Sequence, residues 1–213
     1  MIKSAGEIKR KFAKVIFSAD MALKSVVKVG RLSNLSDARF CSGVGVELLG
    51  FSVIEGNDYY MSPAVFHDIR GWIAGPKIAA ELYGVTSGSQ IIEAREAYAP
   101  DYFEVPWEVY LSYRDALTLP CIVYASAEAL DALRSSDSDE KIKYVMIDGT
   151  TGCASITGLS YPVLKKVTSE AQLRSDIAAG CFQGYALDAP RQEKAGITSY
   201  EELGSLLEIL EDD

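Results

Sequence analysis

Short apolar runs recur along this chain, separated by polar segments that keep helical spacing. Val26–Val29 and Val46–Ile54 are short, β-branched and bounded by Gly and Ser, the pattern of buried strands. Between them, Ser33 or Ser36 is placed to cap a helix through Asp37, Ala38 and Phe40 that ends at Gly43. Strand, helix and strand within about 30 residues make one βαβ unit, which builds a parallel sheet.

The alternation then repeats without a change in composition. Further strands are read at Lys77–Tyr83, Tyr102–Pro106, Cys121–Ala125, Tyr144–Asp148, Tyr161–Lys165 and Gly184–Asp188. Helices follow from Ser62, from Ser87 or Ser89, from Glu108, from Ala127, from Ser169 to a stop at Gly180, and from Ser199. Thr150–Leu159 is a Gly/Ser/Thr-rich connection. This order describes a single-domain α/β protein, a (βα)8 TIM barrel over residues 25–213. Residues 1–24 stand outside it. Ile8, Phe12, Val15, Ile16 and Met21 keep helical spacing, so this extension is read as an extra N-terminal helix over the bottom or side of the barrel, or across a homodimer interface.

Composition narrows the partners. A net charge of −9 provides no basic excess for nucleic acid or an anionic membrane. No apolar run approaches the roughly 18 residues of a membrane span, and no signal peptide is read at the start. Cys41, Cys121, Cys153 and Cys181 lack Cys-x-x-Cys spacing and sit in or beside apolar runs, which reads as a reduced, cytoplasmic protein. With His67 as the single histidine, zinc is not expected. No dinucleotide fingerprint is present, and no cofactor or metal is assigned.

In a barrel of this kind the site lies at the carboxyl ends of the strands. Lys28, Gly30, Ser52, Glu81, Tyr83, Glu104, Tyr124, Asp148, Lys165, Lys166 and Asp188 fall there, with Arg31 and Arg191 just beyond. Buried carboxylates at strand ends need partners or a function. Glu81, Glu104 and Asp148 are therefore the candidate catalytic groups, and pairing with Lys28, Lys77 or Arg31 is the plain structural alternative.

Lys28-Val-Gly-Arg-Leu-Ser-Asn-Leu-Ser-Asp-Ala38, then Leu49-Gly-Phe51 and Ser62-Pro63, resemble the opening of the phosphoribosylanthranilate isomerases. That family begins Lys-Ile-Cys-Gly-Leu-Thr and continues through Asp-Ala and Leu-Gly-Phe to a Ser-x-Arg-Tyr-x-Ser-Pro turn. The resemblance implies a barrel performing an Amadori-type aldose–ketose isomerisation in tryptophan biosynthesis, on a small phosphorylated ligand. It implies that Asp148 is the general acid. It also places the family's catalytic Cys on Gly30 and its substrate-binding Arg on Tyr59. The glycine loops that bind phosphate are not kept, which leaves Lys28, Arg31, Tyr59, Lys165, Lys166, Asp188 and Arg191 as candidate substrate and phosphate contacts. Glu104, Glu81 or Ser52 on a neighbouring strand is then the nearest replacement base, the alternative being none at all. The expectation is an isomerase-like barrel with altered or lost activity. The alternatives are a barrel acting on another small sugar phosphate or aromatic metabolite, and a non-catalytic barrel that binds a metabolite or protein.

Overall fold

The computed structural model describes residues 23–135, 138–190 and 200–212. The expected N-terminal helix, up to residue 22, lies outside them, as does Arg191. Eight parallel strands close in sequence order: β1 (Val26–Gly30), β2 (Leu48–Ser52), β3 (Lys77–Glu81), β4 (Tyr102–Pro106), β5 (Cys121–Ala125), β6 (Ile142–Ile147), β7 (Val163–Lys166) and β8 (Gly184–Asp188). Around them run α1 (Leu35–Gly43), α2 (Pro63–Arg70), α3 (Gly88–Tyr98), α4 (Trp107–Tyr113), α5 (Ala127–Ser135), α6 (Glu170–Ala179) and α7 (Glu201–Asp212). The expected barrel is the observed one.

Helix starts follow local capping chemistry. Asn34, rather than Ser33 or Ser36, caps α1 by accepting from the Asp37 N–H at 2.9 Å. Ser87 and Gln90 form a reciprocal capping box at α3, and Ser169 accepts from the Gln172 N–H at α6. Gly180 ends α6 in the left-handed region at φ 64°. Between β6 and β7 the chain makes only one 3-10 turn, Cys153–Ile156, in keeping with its Gly/Ser/Thr-rich reading.

Strand side chains alternate between two cores. One set, including Val27, Val29, Phe51, Phe103, Val123 and Val145, packs outward against the helices. The other, Leu48, Ala79, Ile122, Met146, Leu164 and Ala186, fills the barrel axis. Above this apolar plug the inward positions turn charged, and that change marks the floor of the site.

The cysteines divide into two kinds. Cys41 and Cys121 are buried and free, and burial pushes both thiols up to about 12. Cys153 and Cys181 are joined in a disulfide that ties the helix-less β6–β7 connection to the segment entering β8. This corrects the reading of four reduced cysteines: no short motif announces the pair, which is brought together across 28 residues by the fold. The inference of a reducing compartment from unpaired cysteines therefore loses its basis.

Candidate active site

Glu81 and Glu104 are direct partners in the β3–β4 register, two carboxylates side by side on neighbouring strands. Both are almost fully buried. Like charges so placed repel strongly unless a cation lies between them. Lys28, reaching inward from the middle of β1, is that cation. Its Nζ lies 2.8 Å from Glu81 Oε1 and 2.6 Å from Glu104 Oε2.

Each carboxylate has a second anchor. The Tyr83 hydroxyl donates to Glu104 Oε1 at 2.7 Å. The Arg31 N–H donates to Glu81, at 3.2 Å to Oε1 and 3.4 Å to Oε2. Arg31 holds φ 57°, a left-handed conformation that a non-glycine residue adopts only under constraint. That twist is what turns its N–H into the barrel. Glu104 Oε2 accepts no hydrogen bond among the described residues, although the Lys28 ammonium faces it closely.

Burial alone pushes the Lys28 ammonium down, but the charges of Glu104 and Glu81 outweigh burial and hold it above the ordinary lysine range. Burial pushes the Glu104 carboxyl up; Lys28 opposes this and the neighbouring Glu81 adds to it. Burial and the Glu104 charge hold the Tyr83 phenol high, so it remains a hydrogen-bond donor. The cluster thus contains a permanent ammonium and a carboxyl disposed to carry a proton.

Above it lies a looser ring. Asp188 Oδ2 is 2.9 Å from Lys166 Nζ and 3.2 Å from an Arg31 guanidinium nitrogen. The Tyr59 ring lies under the Arg31 guanidinium at 5.3 Å. Across the mouth Asp148 is exposed, accepting from the Thr150 N–H and hydroxyl, each at 2.9 Å, and from Tyr124 at 3.4 Å. The Thr150 bonds hold the Asp148 carboxyl below its ordinary range, leaving it an anion at neutral pH rather than a ready acid.

A cavity of about 170 Å³ is lined by Lys28, Glu81, Glu104, Tyr124, Lys166 and Asp188, among others. It shares Arg31, Glu81 and Tyr83 with an adjoining groove of about 440 Å³ that runs over Ser52, Asn57 and Tyr59. The structure thus brings Lys28, Arg31, Glu81, Glu104, Lys166 and Asp188 to one cavity, with Tyr59 in the groove beside it. Asp148 stands at the rim, tied to the cavity wall through Tyr124.

Lys165 is elsewhere. It points outward, donating to Asp176 of α6 at 2.8 Å with the Phe182 ring 4.8 Å from its Nζ. Adjacent strand residues face opposite sides, so only one of Lys165 and Lys166 reaches the mouth. Lys77 pairs with Asp101 away from the cavity, and among the described residues Asp148 bonds no lysine at hydrogen-bond distance. Tyr83 and Tyr124, placed at strand ends by the sequence but given no role there, donate to Glu104 and Asp148. Among the described residues no group of three or more His, Cys, Asp or Glu side chains is arranged to hold a metal ion, and no helix is long and apolar enough to cross a membrane.

No protein-family model matches the chain, and no curated protein matches its sequence. Solved structures do resemble it. Phosphoribosyl anthranilate isomerase from Thermus thermophilus superposes with a TM-score of 0.67 at 15% identity, over 88% of this chain and 98% of that one. N-(5'-phosphoribosyl)anthranilate isomerase from Pyrococcus furiosus gives 0.68 at 14% identity, over 89% and 100%. The isomerase from Thermotoga maritima gives 0.69 at 13%, also over 89% and 100%. Likeness at this identity establishes a shared barrel and no more.

Proposed function

We propose that this barrel transfers protons on a small, hydroxylated, anionic metabolite, in an isomerisation of the aldose–ketose type. The observation that carries the proposal is the pair of register-matched carboxylates, Glu81 and Glu104, sharing the buried Lys28 ammonium at the carboxyl end of the barrel. Such a rearrangement moves a proton from C2 to C1 of the sugar while a proton passes between the two oxygens. One carboxylate takes the C2 proton as the carbonyl oxygen gains one from the other group. The reverse transfers then protonate C1 and free the second oxygen. This needs one proton-accepting and one proton-carrying group in reach of adjacent atoms.

Burial favours the protonated form of Glu104, which suits it to the acid role. Lys28 stays charged and stabilises negative charge developing on the oxygens. Arg31 and Lys166, now sharing Asp188, are the cations available to a phosphate or carboxylate on the ligand.

The similar solved barrels are named as isomerases of phosphoribosyl anthranilate, and the reaction class proposed here is theirs. The substrate is taken to differ. Gly30 offers no side chain where the resemblance expects a Cys, and Tyr59 offers a ring where it expects an Arg.

The test is proton exchange. Three- to six-carbon aldose and ketose phosphates, with phosphoribosylanthranilate beside them, are incubated with the protein in D2O and the C2–H signal is followed by NMR. The proposal expects exchange on at least one small sugar phosphate, reduced on the order of 100-fold in both Glu81→Gln and Glu104→Gln. Folded protein that exchanges none of the panel would overturn it, and exchange on phosphoribosylanthranilate alone would restore the reaction named for the similar barrels.

A further inference from the structure

The Glu81–Lys28 pair occupies space that two side chains would otherwise fill. A Cβ built on Gly30 would lie 2.5 Å from Glu81 Oε1 and 2.6 Å from Lys28 Nζ. A Cβ on Gly50, in the neighbouring strand, would lie 2.9 Å from Lys28 Nζ and closer still to Glu81 Oε1. Neither glycine has a positive φ, so the backbone itself would accept alanine at both.

Gly184 in β8 makes the contrast. A Cβ there would press on the Val26 carbonyl, which is backbone that has nowhere to go. Gly184 is required by the fold. At Gly30 and Gly50 the obstructing atoms are only the ends of two flexible side chains. The third component is Arg31, whose left-handed backbone directs its N–H at the same carboxylate.

We infer that Gly30 and Gly50 are the specificity-determining positions of this mouth, forming a socket that admits the Glu81 carboxylate and the Lys28 ammonium. A ligand is then met at this point by a carboxylate from β3, and by no side chain from Gly30 of β1 or Gly50 of β2. Glu81 Oε1 is already engaged by Lys28 and Arg31, whereas among the described residues Oε2 takes only the long 3.4 Å bond from the Arg31 N–H. An acceptor left this open selects a donor, so the ligand atom placed against it carries a hydrogen, as the hydroxyl of the proposed substrate does. The assignment of Glu81 to the reacting atoms rests on the proton-transfer function proposed above; the socket itself does not.

The experiment uses Gly30→Ala, Gly50→Ala and Gly184→Ala in the full chain, with crystal structures, thermal melts and D2O exchange read on each. The socket predicts that the first two fold with far less loss of stability than Gly184→Ala. It predicts that Glu81 Oε1 is displaced by about 1 Å, the gap between 2.5 Å and an ordinary contact of 3.4 Å. Exchange then falls on the order of 100-fold, as expected for a displacement of that size. An unmoved Glu81, or melts as damaged as that of Gly184→Ala, would overturn the socket. Wild-type protein that shows no exchange, with Glu81 displaced in both variants, would leave the socket standing and sink the proton-transfer reading instead.

Discussion

The Tyr83 hydroxyl holds Glu104 Oε1 at 2.7 Å and so leaves the other oxygen, Oε2, facing the Lys28 ammonium at 2.6 Å. Rotation of the carboxylate is thereby fixed by one neutral donor and one charged neighbour. Tyr83 is a positioning residue in this arrangement, acting through Glu104.

Tyr83→Phe removes the neutral donor and nothing else of the packing. The Tyr83 bond draws the Glu104 carboxyl down against the rise caused by burial, so its loss lets that carboxyl rise further. A carboxyl raised in the folded state binds its proton more tightly there than in the unfolded chain. Stability from this source is complete below the ordinary glutamate value and is lost as pH rises through the folded value. We therefore expect Tyr83→Phe to lose about 1–3 kcal/mol at pH 7 and distinctly less near pH 4.5. Urea denaturation at the two pH values checks this; an equal loss at both would refute the link to Glu104.

Lys28→Met and Glu104→Gln should differ sharply, although each breaks the same ion pair. Lys28 is the one cation lying within an ion pair of both Glu81 and Glu104 among the described residues. Removing it leaves two buried carboxylates facing each other, a loss of about 3–5 kcal/mol at neutral pH that shrinks as the medium is acidified. Glu104→Gln leaves Lys28 paired with Glu81 and keeps the shape of the side chain, so stability should change by about 1 kcal/mol or less. Chemical denaturation of both variants at pH 7 and pH 5 decides the point.

Much of this was legible in the chain, for identifiable reasons. Strand β1 reads as Val-Val-Lys-Val-Gly, and a lysine inside so apolar a run is conspicuous. Glu81 and Glu104 each end a short apolar strand, where only a partner or a function explains a carboxylate. That Lys28 joins them was one of several pairings open to the sequence, because closure of the barrel, and not sequence distance, brings β1 near β3 and β4. The Lys165–Lys166 pair shows the limit most clearly: a one-residue uncertainty in register exchanges the inner and outer faces. The disulfide and the service of Gly50 to Glu81 were illegible, since both are relations between distant segments that no local pattern encodes.

The Cys153–Cys181 bridge should stabilise the protein substantially. It closes a loop of 28 residues around a connection with only one 3-10 turn. Restricting the unfolded chain over such a loop contributes about 3–4 kcal/mol on the chain-entropy model. Arg134 also grips this connection, donating to the carbonyls of Ser155 and Thr157, so the native connection is held without the bridge. Reduction, or the double substitution Cys153→Ser and Cys181→Ser, should therefore lower stability by about that amount and leave the far-UV circular dichroism intact. The double variant should be insensitive to reductant. Wild-type protein whose denaturation midpoint is unmoved by reductant would contradict this.

Lys165 and Lys166, neighbours in sequence, should fail in opposite ways. Lys165 and Asp176 form a buried pair between β7 and α6, and Asp176 Oδ2 has no hydrogen-bond partner among the described residues. Lys165→Met strands the Asp176 charge and should lose about 3–5 kcal/mol, largely recovered when Asp176→Leu is added. Lys166 is partly exposed at the mouth beside Asp188, where such a pair contributes about 1 kcal/mol or less to stability. Its effect belongs to ligand binding. With inorganic phosphate as the probe, Lys166→Met should weaken binding about tenfold or more, the worth of a charged hydrogen bond, and Lys165→Met should leave it unchanged. Titration by calorimetry together with urea denaturation reads both effects on the same samples. Phosphate affinity that follows Lys165 instead would reverse the facing of strand β7 and remove Lys166 from the site.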